Sequence, residues 1–310
     1  MEGKLISIIT PTYNCGSFIG ETIESVLAQT YTNWEMIIVD DCSTDNTEQI
    51  VNQYRKKDSR VHYYKLKHNS GAAVARTKAM ELACGNYMAF LDSDDLWHPD
   101  KLKKQFDYME DHGIAFTCTM YEQIDENGEK LNKVIKVVPK TTYNRLLLDC
   151  PVGNSTVMYN VDKMGKFKVP DIRKRNDDAL WLQMLKKEPV IYGIEEVLMQ
   201  YRIRSNSISS NKFKLIKYHW KLYREIEHLS VLRSAFHVAY WCLIKTLQIK
   251  EKSAMRNVEN IGGDCQKTKF KLGETTIYSG NKDADQQHNV VQNERERVLG
   301  QSGGQKQIKR

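Results

Sequence analysis

The sequence predicts an α/β fold built on a mostly parallel sheet, because short apolar runs alternate with amphipathic helical patterns. Strands are expected at residues 5–10, 35–39 and 61–66. A fourth run, 87–91, follows Gly85 and is apolar or aromatic at every position, as expected of a strand that is buried on both faces. Parallel strands joined by helices need crossovers, and these are expected to be right-handed.

The helices between these strands are predicted from apolar spacing and from end signals. Ser17 can cap a first helix, whose apolar positions recur at intervals of three and four residues. A second helix is expected around 50–54, after a turn rich in capping side chains, and a third over 72–83. Gly85 is expected to stop that third helix at the C′ position. The apolar positions of the first helix are Ile19, Ile23, Val26 and Leu27.

The pattern continues beyond residue 98. Pro99 suits the first turn of a helix that runs to Gly113, and 114–124 with 130–138 predicts a hairpin. The remaining predicted elements are a strand at 156–159, a helix with Leu180, Trp181, Met184 and Leu185 on its apolar side, a strand at 198–203, and helices at about 211–228 and 230–249.

The composition is that of a globular protein from a reducing compartment. The chain has 310 residues, 41% of them hydrophobic, which is enough for one large α/β domain or two smaller ones. Its seven Cys are scattered and never spaced as Cys-x-x-Cys, which argues against a disulfide framework or a zinc site. The apolar run 5–9 is too short for a signal peptide or a membrane span. The predicted location is therefore cytoplasmic.

The net charge of +7 is unevenly distributed. Residues 202–250 hold ten Lys and Arg against two Glu, with aromatic residues between them. Such a segment can lie on an anionic membrane surface, so a peripheral position on the inner face of the cell membrane is expected. The alternative is that its aromatic residues pack back onto the core. Nucleic acid is not expected as a partner, because no recognition motif accompanies the charge.

Three carboxylates follow the fourth predicted strand, at Asp92, Asp94 and Asp95. In an open α/β sheet ligands bind beyond the carboxyl ends of the strands, so a substrate is expected here. Two carboxylates about 4 Å apart repel by about 4 kcal/mol at an effective dielectric constant of about 20, unless a cation joins them. The cluster therefore predicts a site for Mg²⁺ or Mn²⁺, which prefer oxygen ligands. The alternative is a strand end followed by an acidic helix cap.

Further polar residues have a functional and a structural interpretation. Asp41 ends the second strand and can accept a hydrogen bond from a ligand such as a uracil ring, or cap the next helix. Arg76 lies among small and apolar residues and is expected to pair with a phosphate or with the acidic cluster. Asp177 precedes an amphipathic helix, where it can act as a general base for an acceptor hydroxyl or as a helix cap, and Asp178 can share that role.

Four motifs in order resemble the family 2 glycosyltransferases. They are IITPTYN at 8–14, IVDDCSTD at 38–45, NSG at 69–71 followed by Ala75 and Arg76, and FLDSDD at 90–95. The likeness continues through RNDDALWL at 175–182 and through Tyr201 and Arg202 to NSISS at 206–210, so it covers about residues 4–250. It is strongest to polymer-building members, such as teichuronic-acid and O-antigen glycosyltransferases.

The resemblance implies roles for individual residues. Asp177 is the implied base, although Asp178 stands where the family usually has an aromatic or apolar residue; Asp177 is preferred because its distance to Trp181 matches the family pattern. Arg202 is expected to help hold the diphosphate. The other implied residues are Pro11, Tyr13, Asp41 and Arg76 for the uridine and its phosphates, Asp92 and Ser93 for the donor, and Asp94, with Asp92 and Asp95, for the metal.

The resemblance also implies a GT-A fold and a function. The expected reaction is metal-dependent, inverting transfer of a hexose or N-acetylhexosamine from a UDP-sugar to a glycan acceptor linked to polyprenyl diphosphate, in cell-surface polysaccharide biosynthesis. Two alternatives stay open, a phosphohydrolase with an Asp-x-Asp site and an inactive polymer-binding relative. The expected parts are a catalytic domain at 1–205, whose nucleotide-sugar half ends near 98 and whose acceptor half spans 99–205, a basic amphipathic helical extension at 206–250, and a polar tail of low order at 251–310.

Overall fold

The computed structural model describes the backbone of residues 3–204 and 212–260 and the side chains of 3–204 and 215–246. Within this part of the chain ten strands form one sheet. The strands are β1 Ile6–Thr12, β2 Trp34–Asp40, β3 Val61–Lys65, β4 Tyr87–Phe90, β5 Leu96–Trp97, β6 Phe116–Ile124, β7 Lys130–Ile135, β8 Lys140–Thr142, β9 Met158–Asn160 and β10 Val190–Arg202. The helices are α1 Ile19–Leu27, α2 Thr47–Arg55, α3 Ala72–Leu82, α4 Lys101–Asp111, α5 Tyr143–Leu148, α6 Val161–Met164, α7 Asn176–Leu185, α8 Lys212–Lys221 and α9 Val231–Asn260.

The sheet confirms the predicted α/β class. Its strand order is β3-β2-β1-β4-β9-β6-β10-β5, with β7 paired to β6 and β8 paired to β10. Strands β1 to β4 run parallel to one another, as do β6 and β10. Strand β9 is antiparallel to both β4 and β6 and thereby joins the two halves of the sheet.

Alternating residues of the central strands fill two apolar layers, one on each side of the sheet. Ile9 and Phe90 belong to one layer, whereas their chain neighbours Ile8 and Ala89 belong to the other. Because side chains of a strand alternate between faces, a run that is apolar throughout is buried on both sides. This burial fixes the register of β4, and with it the position of the acidic loop that follows.

Several boundaries differ from the predicted ones. Helix α1 begins after Phe18, and no side chain caps it, so the predicted cap at Ser17 is wrong. Strand β10 begins at Val190, well before the predicted start at 198. Its first part was not predicted because a bulge between Ile194 and Val197 interrupts the apolar alternation. The hairpin of β6 and β7 is confirmed.

Gly85 has a different role from the predicted helix stop. Helix α3 ends at Ala83 in an extended conformation, and Gly85 is not among the glycines with positive φ. A Cβ atom on Gly85 would lie 2.7 Å from the carbonyl oxygen of Leu5 and 2.6 Å from Ser7 Oγ. Glycine is needed here because the backbone before β4 passes directly against the beginning of β1.

The C-terminal helices pack on the helices behind the sheet. Tyr223, in a π-helical turn at Leu222–Ile226, and Trp241, in α9, are buried, so part of the basic segment does pack onto the core. Trp220 and Phe236 remain exposed. Helix α9 continues to Asn260, ten residues into the segment for which low order was expected. The motif at 206–210 and the rest of the polar tail, 261–310, lie outside the described residues.

Candidate active site

The acidic loop after β4 is held in place through its backbone. Thr22 Oγ1, on α1, lies 3.0 Å from the carbonyl oxygens of both Ser93 and Asp95 and can donate to either. Cys15 Sγ donates to the carbonyl oxygen of Ser93 at 3.2 Å. Ser93 itself is buried. These hydrogen bonds hold the backbone of the loop in one conformation, which fixes the directions of its carboxylates.

Asp92 and Asp94 each have a separate cationic partner. Arg76 donates to Asp92 Oδ1 at 3.0 Å, and Asn154 Nδ2 donates to the same oxygen at 2.8 Å. Arg204 donates to Asp94 Oδ2 at 3.0 Å. Burial raises the pKa of Asp92; the charge of Arg76 opposes this rise, and the charges of Asp94 and Asp177 add to it. The negative charge of Asp177 therefore acts on Asp92.

Asp95 is built into the protein interior. Its carboxylate accepts hydrogen bonds from Ser155 Oγ at 2.6 Å and from the backbone N–H of Arg202 at 3.1 Å. Burial and the neighbouring carboxylates raise the pKa of Asp95 well above its usual range. This side chain positions the loop against β10 through one hydrogen bond on each of its oxygens, and its expected contact with a metal stays a prediction.

A cation bound by all three carboxylates does not match this arrangement. Among the described residues, no group of three or more His, Cys, Asp or Glu is placed to hold a metal ion. Each carboxylate has its own protein donors, while the neighbouring negative charges still raise the pKa of Asp92 and of Asp95. Asp92 and Asp94 remain accessible, with side chains that are 34% and 24% exposed. Magnesium is often held by one or two carboxylates together with substrate phosphates, and this pair fits such a site.

Arg76 connects the acidic loop to the start of α7. Besides Asp92 it donates to Asn176 Oδ1, the first residue of α7, and its side chain is almost fully buried. Of the two partners expected for Arg76, the structure therefore shows the acidic cluster. This bridge brings Asp177, the next residue of α7, beside the loop.

Asp177 and Asp178 have different environments. Asp177 is partly exposed, whereas Asp178 is buried, with Oδ2 2.8 Å from Nε of Arg175. Burial raises the pKa of Asp178 to about 6, since it outweighs the opposing charge of Arg175. A buried, paired carboxylate cannot reach an acceptor, so the geometry favours Asp177 for contact with substrate.

The residues expected at the uridine lie at the carboxyl ends of β1 and β2. Pro11 is buried within β1, and Tyr13, just beyond it, is half exposed. Both oxygens of Asp41 accept backbone N–H groups, from Ser70 at 2.6 Å and Gly71 at 2.7 Å, which orders the turn before α3. Neither α2 nor α3 has a side-chain cap, so Asp41 does not cap a helix as the alternative had it, and its contact with a nucleotide stays a prediction.

Arg202 is a structural side chain in this arrangement. It is fully buried, with Nε donating to the carbonyl oxygen of Asp94 at 2.9 Å, NH1 to that of Glu126 at 3.0 Å and NH2 to Glu21 Oε2 at 2.6 Å. Its expected contact with a diphosphate stays a prediction. The cation that reaches the accessible carboxylate is Arg204, which the sequence analysis did not single out.

The sequence analysis also did not single out Asn154 and Ser155. They lie in a 3₁₀ turn, Asn154–Thr156, directly before β9, and they bind Asp92 and Asp95. The only signal was a short polar cluster between Val152 and Val157. Nothing in that cluster indicates which of the distant carboxylates it meets.

A mixed sheet in which β1 to β4 run parallel, with an acidic loop after β4, defines the class of protein. The fold is GT-A, as in two solved glycosyltransferases. TarS from S. aureus, in complex with UDP-GlcNAc, superposes with a TM-score of 0.57 at 22% identity, covering 76% of this chain and 71% of that one. The mannosyltransferase PcManGT from Pyrobaculum calidifontis, in complex with GDP-Man and Mn²⁺, gives 0.56 at 15% identity, covering 84% and 76%.

The chain belongs to glycosyl transferase family 2, whose family model matches residues 7–169. TuaG of Bacillus subtilis, named as a teichuronic acid biosynthesis glycosyltransferase, is 47% identical over 78% of this chain and 94% of its own length. WfgD of Escherichia coli, a UDP-Glc:α-D-GlcNAc-diphosphoundecaprenol β-1,3-glucosyltransferase, is 39% identical over 71% of this chain and 85% of its own. The protein is a glycosyltransferase, which decides against the phosphohydrolase alternative.

Proposed function

We propose that the protein transfers a hexose or N-acetylhexosamine from a UDP-sugar to a hydroxyl of a glycan linked to polyprenyl diphosphate. The UDP donor is supported by WfgD, named for UDP-Glc, and by the fold shared with TarS bound to UDP-GlcNAc. The lipid-linked acceptor is supported by the diphosphoundecaprenol in the name of WfgD. The observation that carries the proposal is that Arg76 binds both Asp92, beside the partly exposed Asp94, and Asn176, the neighbour of the partly exposed Asp177.

The reaction is a single displacement with inversion. Asp177 takes the proton of the acceptor hydroxyl as its oxygen bonds to the anomeric carbon. The bond from that carbon to the diphosphate oxygen breaks, and its electron pair leaves with UDP. Asp177 belongs to α7 and Asp94 to the loop after β4, so different elements of the fold hold the base and the leaving group. No covalent enzyme intermediate is required.

Mg²⁺ or Mn²⁺ would be held by Asp94, with Asp92 beside it, and when bound supplies positive charge that stabilises the leaving diphosphate. Arg204 donates to Asp94, the carboxylate that would hold the metal, and its guanidinium lies 4.8 Å from the centre of the Phe18 ring. The diphosphate of the proposed donor is the anion that would lie nearest to Arg204. Arg204 is therefore assigned to the diphosphate in preference to Arg202.

Two adjacent isosteric variants test the base. Asp177→Asn is expected to lower kcat by about 10²–10⁴-fold, the usual contribution of a general base, without changing the stability of the protein. Asp178→Asn leaves the Arg175 guanidinium without its carboxylate and is expected to act mainly on stability, at a cost of about 3–5 kcal/mol for a buried pair. The opposite pattern would assign the base to Asp178.

The assay also tests inversion and the donor. Synthetic GlcNAc-diphosphate-lipid is incubated with individual UDP-sugars, and the anomeric configuration of the product is determined by NMR. A product that retains the configuration of the donor contradicts the single displacement. Thermal-shift measurements with each UDP-sugar, with and without Mn²⁺, identify the donor independently of the acceptor, because a ligand at 100 times its Kd adds about 2.7 kcal/mol of stability.

An anionic membrane surface is the proposed partner of the C-terminal helices. Helix α9 exposes Leu232, Phe236 and Leu243, at 85%, 60% and 57%, at spacings that place them on one side of the helix, and Arg233 lies beside them. No helix in the described part of the chain is long and apolar enough to cross a bilayer. An exposed apolar stripe with basic neighbours suits the membrane interface, where each cation near the surface contributes about 1 kcal/mol.

Flotation with vesicles tests this contact. The wild-type protein is expected to float with vesicles that contain phosphatidylglycerol and not with neutral vesicles, and the double variant Leu232→Ser, Phe236→Ser is expected to lose flotation. Leu131→Ser, at an exposed position on β7, is the matched control. Equal flotation of all three proteins contradicts contact through α9.

A further inference from the structure

Arg175 has an unusual backbone conformation at the residue before α7. Its φ is +65°, in the left-handed region, where a residue with a side chain costs about 1–2 kcal/mol. Asp177 is two residues further on, so the conformation of Arg175 sets the direction in which the first turn of α7 leaves the loop. Contacts of the Arg175 side chain hold the backbone in this conformation.

The Arg175 guanidinium is restrained from two sides. On one side Nε lies 2.8 Å from Asp178 Oδ2, with its N–H not aligned on that oxygen, so this contact is an ion pair rather than a hydrogen bond. On the other side NH2 donates to Nε2 of His219 at 2.8 Å. His219 belongs to α8, outside the part of the chain that the family model matches.

His219 is held as a neutral hydrogen-bond acceptor. Arginine has only donors, so Nε2 accepts, and the ring proton is on Nδ1. Nδ1 lies 3.4 Å from the Tyr223 hydroxyl, which donates to the carbonyl oxygen of Leu147 at 2.8 Å. The ring is almost fully buried, and burial together with the charge of Arg175 lowers the pKa of His219 to about 2. The acceptor is therefore available throughout the physiological pH range.

The first turn of α7 is thus fastened at two points. Arg76 ties Asn176 to Asp92 on the side of the donor site, and His219 holds Arg175 on the side of the C-terminal helices. We propose that His219 is a positioning residue for the reaction, which fixes Arg175 and thereby the place of the Asp177 carboxylate. This inference rests on the proposed function, in which Asp177 is the base. It implies that α8 contributes to the active site through His219.

Two amides of different length separate positioning from packing. In His219→Gln the amide oxygen reaches the place of Nε2 and can accept from Arg175, whereas in His219→Asn it falls short. The Asn variant is expected to lower kcat by about 10²-fold with little change in the KM of the UDP-sugar, since displacing a catalytic group by about 1 Å has an effect of that size. The Gln variant is expected to stay within about threefold of the wild type.

His237→Asn is the control for damage to packing. His237 is also buried, lies 5.3 Å from the Tyr223 ring and has no hydrogen bond to the residues at the start of α7. It is expected to lower thermal stability without a separate effect on kcat. Hydrogen exchange of a peptide covering 173–180 gives a readout besides activity, and it is expected to be faster in His219→Asn and unchanged in His219→Gln and His237→Asn.

The result that overturns the inference is equal kcat and equal exchange in His219→Asn and His219→Gln. A loss of kcat in His237→Asn as large as in His219→Asn would also overturn it, since packing would then explain both. Asp177→Asn, measured in parallel, separates failure of the positioning role from failure of the proposed base. If that variant is inactive and the His219 variants are not, only the positioning role fails; if it is fully active, the proposed base fails, and the positioning of Asp177 fails with it.

Discussion

Arg202 and Arg204 are two residues apart and have different surroundings. The Arg202 guanidinium is buried and donates to two backbone carbonyl groups and to Glu21, whereas Arg204 is partly exposed and lies on Asp94. Arg204→Ala is expected to raise the KM of the UDP-sugar about tenfold, since a charge-assisted hydrogen bond contributes about 1.5–3 kcal/mol, with no loss of stability. Steady-state kinetics with varied donor measures this.

Arg202→Ala is the companion change. It leaves the carbonyl oxygens of Asp94 and Glu126 without donors in the interior and is expected to lower the free energy of unfolding by about 2–3 kcal/mol. Urea unfolding of the two variants gives the comparison. A KM effect in Arg202→Ala alone would return the diphosphate contact to Arg202.

At the residue scale the sequence predicted where charge collects but not how it is compensated. Asp92, Asp94 and Asp95 were expected at the end of β4, and they are there. Their partners Asn154, Ser155 and Arg204 are about 60 to 110 residues away in the chain. Only the tertiary fold decides which distant donor meets which carboxylate, so the sequence could not indicate the hydrogen bonds that these carboxylates accept.

At the scale of elements, the approach of β4 to β1 requires glycine at position 85. Gly85→Ala would place a Cβ atom 2.7 Å from backbone atoms of Leu5 and Ser7, and backbone cannot move aside as a flexible side chain can. A loss of about 1–3 kcal/mol in the free energy of unfolding is expected, as for overpacking. Gly20→Ala within α1, where the nearest atom is 3.4 Å away, is expected to be neutral or stabilising. Equal effects in urea unfolding would contradict the close approach.

The packing of α8 on the start of α7 predicts a dependence of stability on pH. The pKa of His219 is lowered to about 2 in the folded protein, mainly by burial, against about 6.5 in an unfolded chain. The unfolded state therefore binds a proton that the folded state does not, and stability is lost as pH falls below about 6.5. Between pH 8 and pH 5 this group alone contributes a loss of about 2 kcal/mol.

His219→Gln is expected to remove that part of the loss, and urea unfolding at the two pH values measures it. His68→Gln, at an exposed position, serves as the control and should keep the full dependence of the wild type. Identical pH dependence in all three proteins would mean that the His219 ring is not buried as described.

Helices and strands with a strong apolar period were predicted well, and elements defined by other forces were not. Strands β1 to β4 and helices α1 to α4 lie close to their predicted places. Strand β5 has two residues and β8 has three, too few for any period to show, and the start of β10 is masked by its bulge. Such elements exist because neighbouring strands supply their hydrogen bonds, and a local pattern does not carry that information.

At the scale of the whole molecule, the proposed metal links the acidic loop to the donor. Removal of divalent ions with EDTA is expected to abolish transfer, and Mn²⁺ or Mg²⁺ is expected to restore it. Asp94→Ala should abolish transfer at every metal concentration while retaining the fold, because its carboxylate is partly exposed and, among the described residues, has Arg204 as its partner. Circular dichroism checks the fold, and full activity of Asp94→Ala in EDTA would contradict the assignment.

Strand β9 has a consequence for how substrates can enter. It is hydrogen-bonded to β4 on one side and to β6 on the other, and the turn just before it supplies the side chains that bind Asp92 and Asp95. The two halves of the sheet are therefore joined at β9, directly beside the residues that bind the carboxylates of Asp92 and Asp95. Separation of the two halves of the sheet would break these bonds, so we expect the substrates of the proposed reaction to enter and leave by local rearrangement of surface loops, without a change in the sheet.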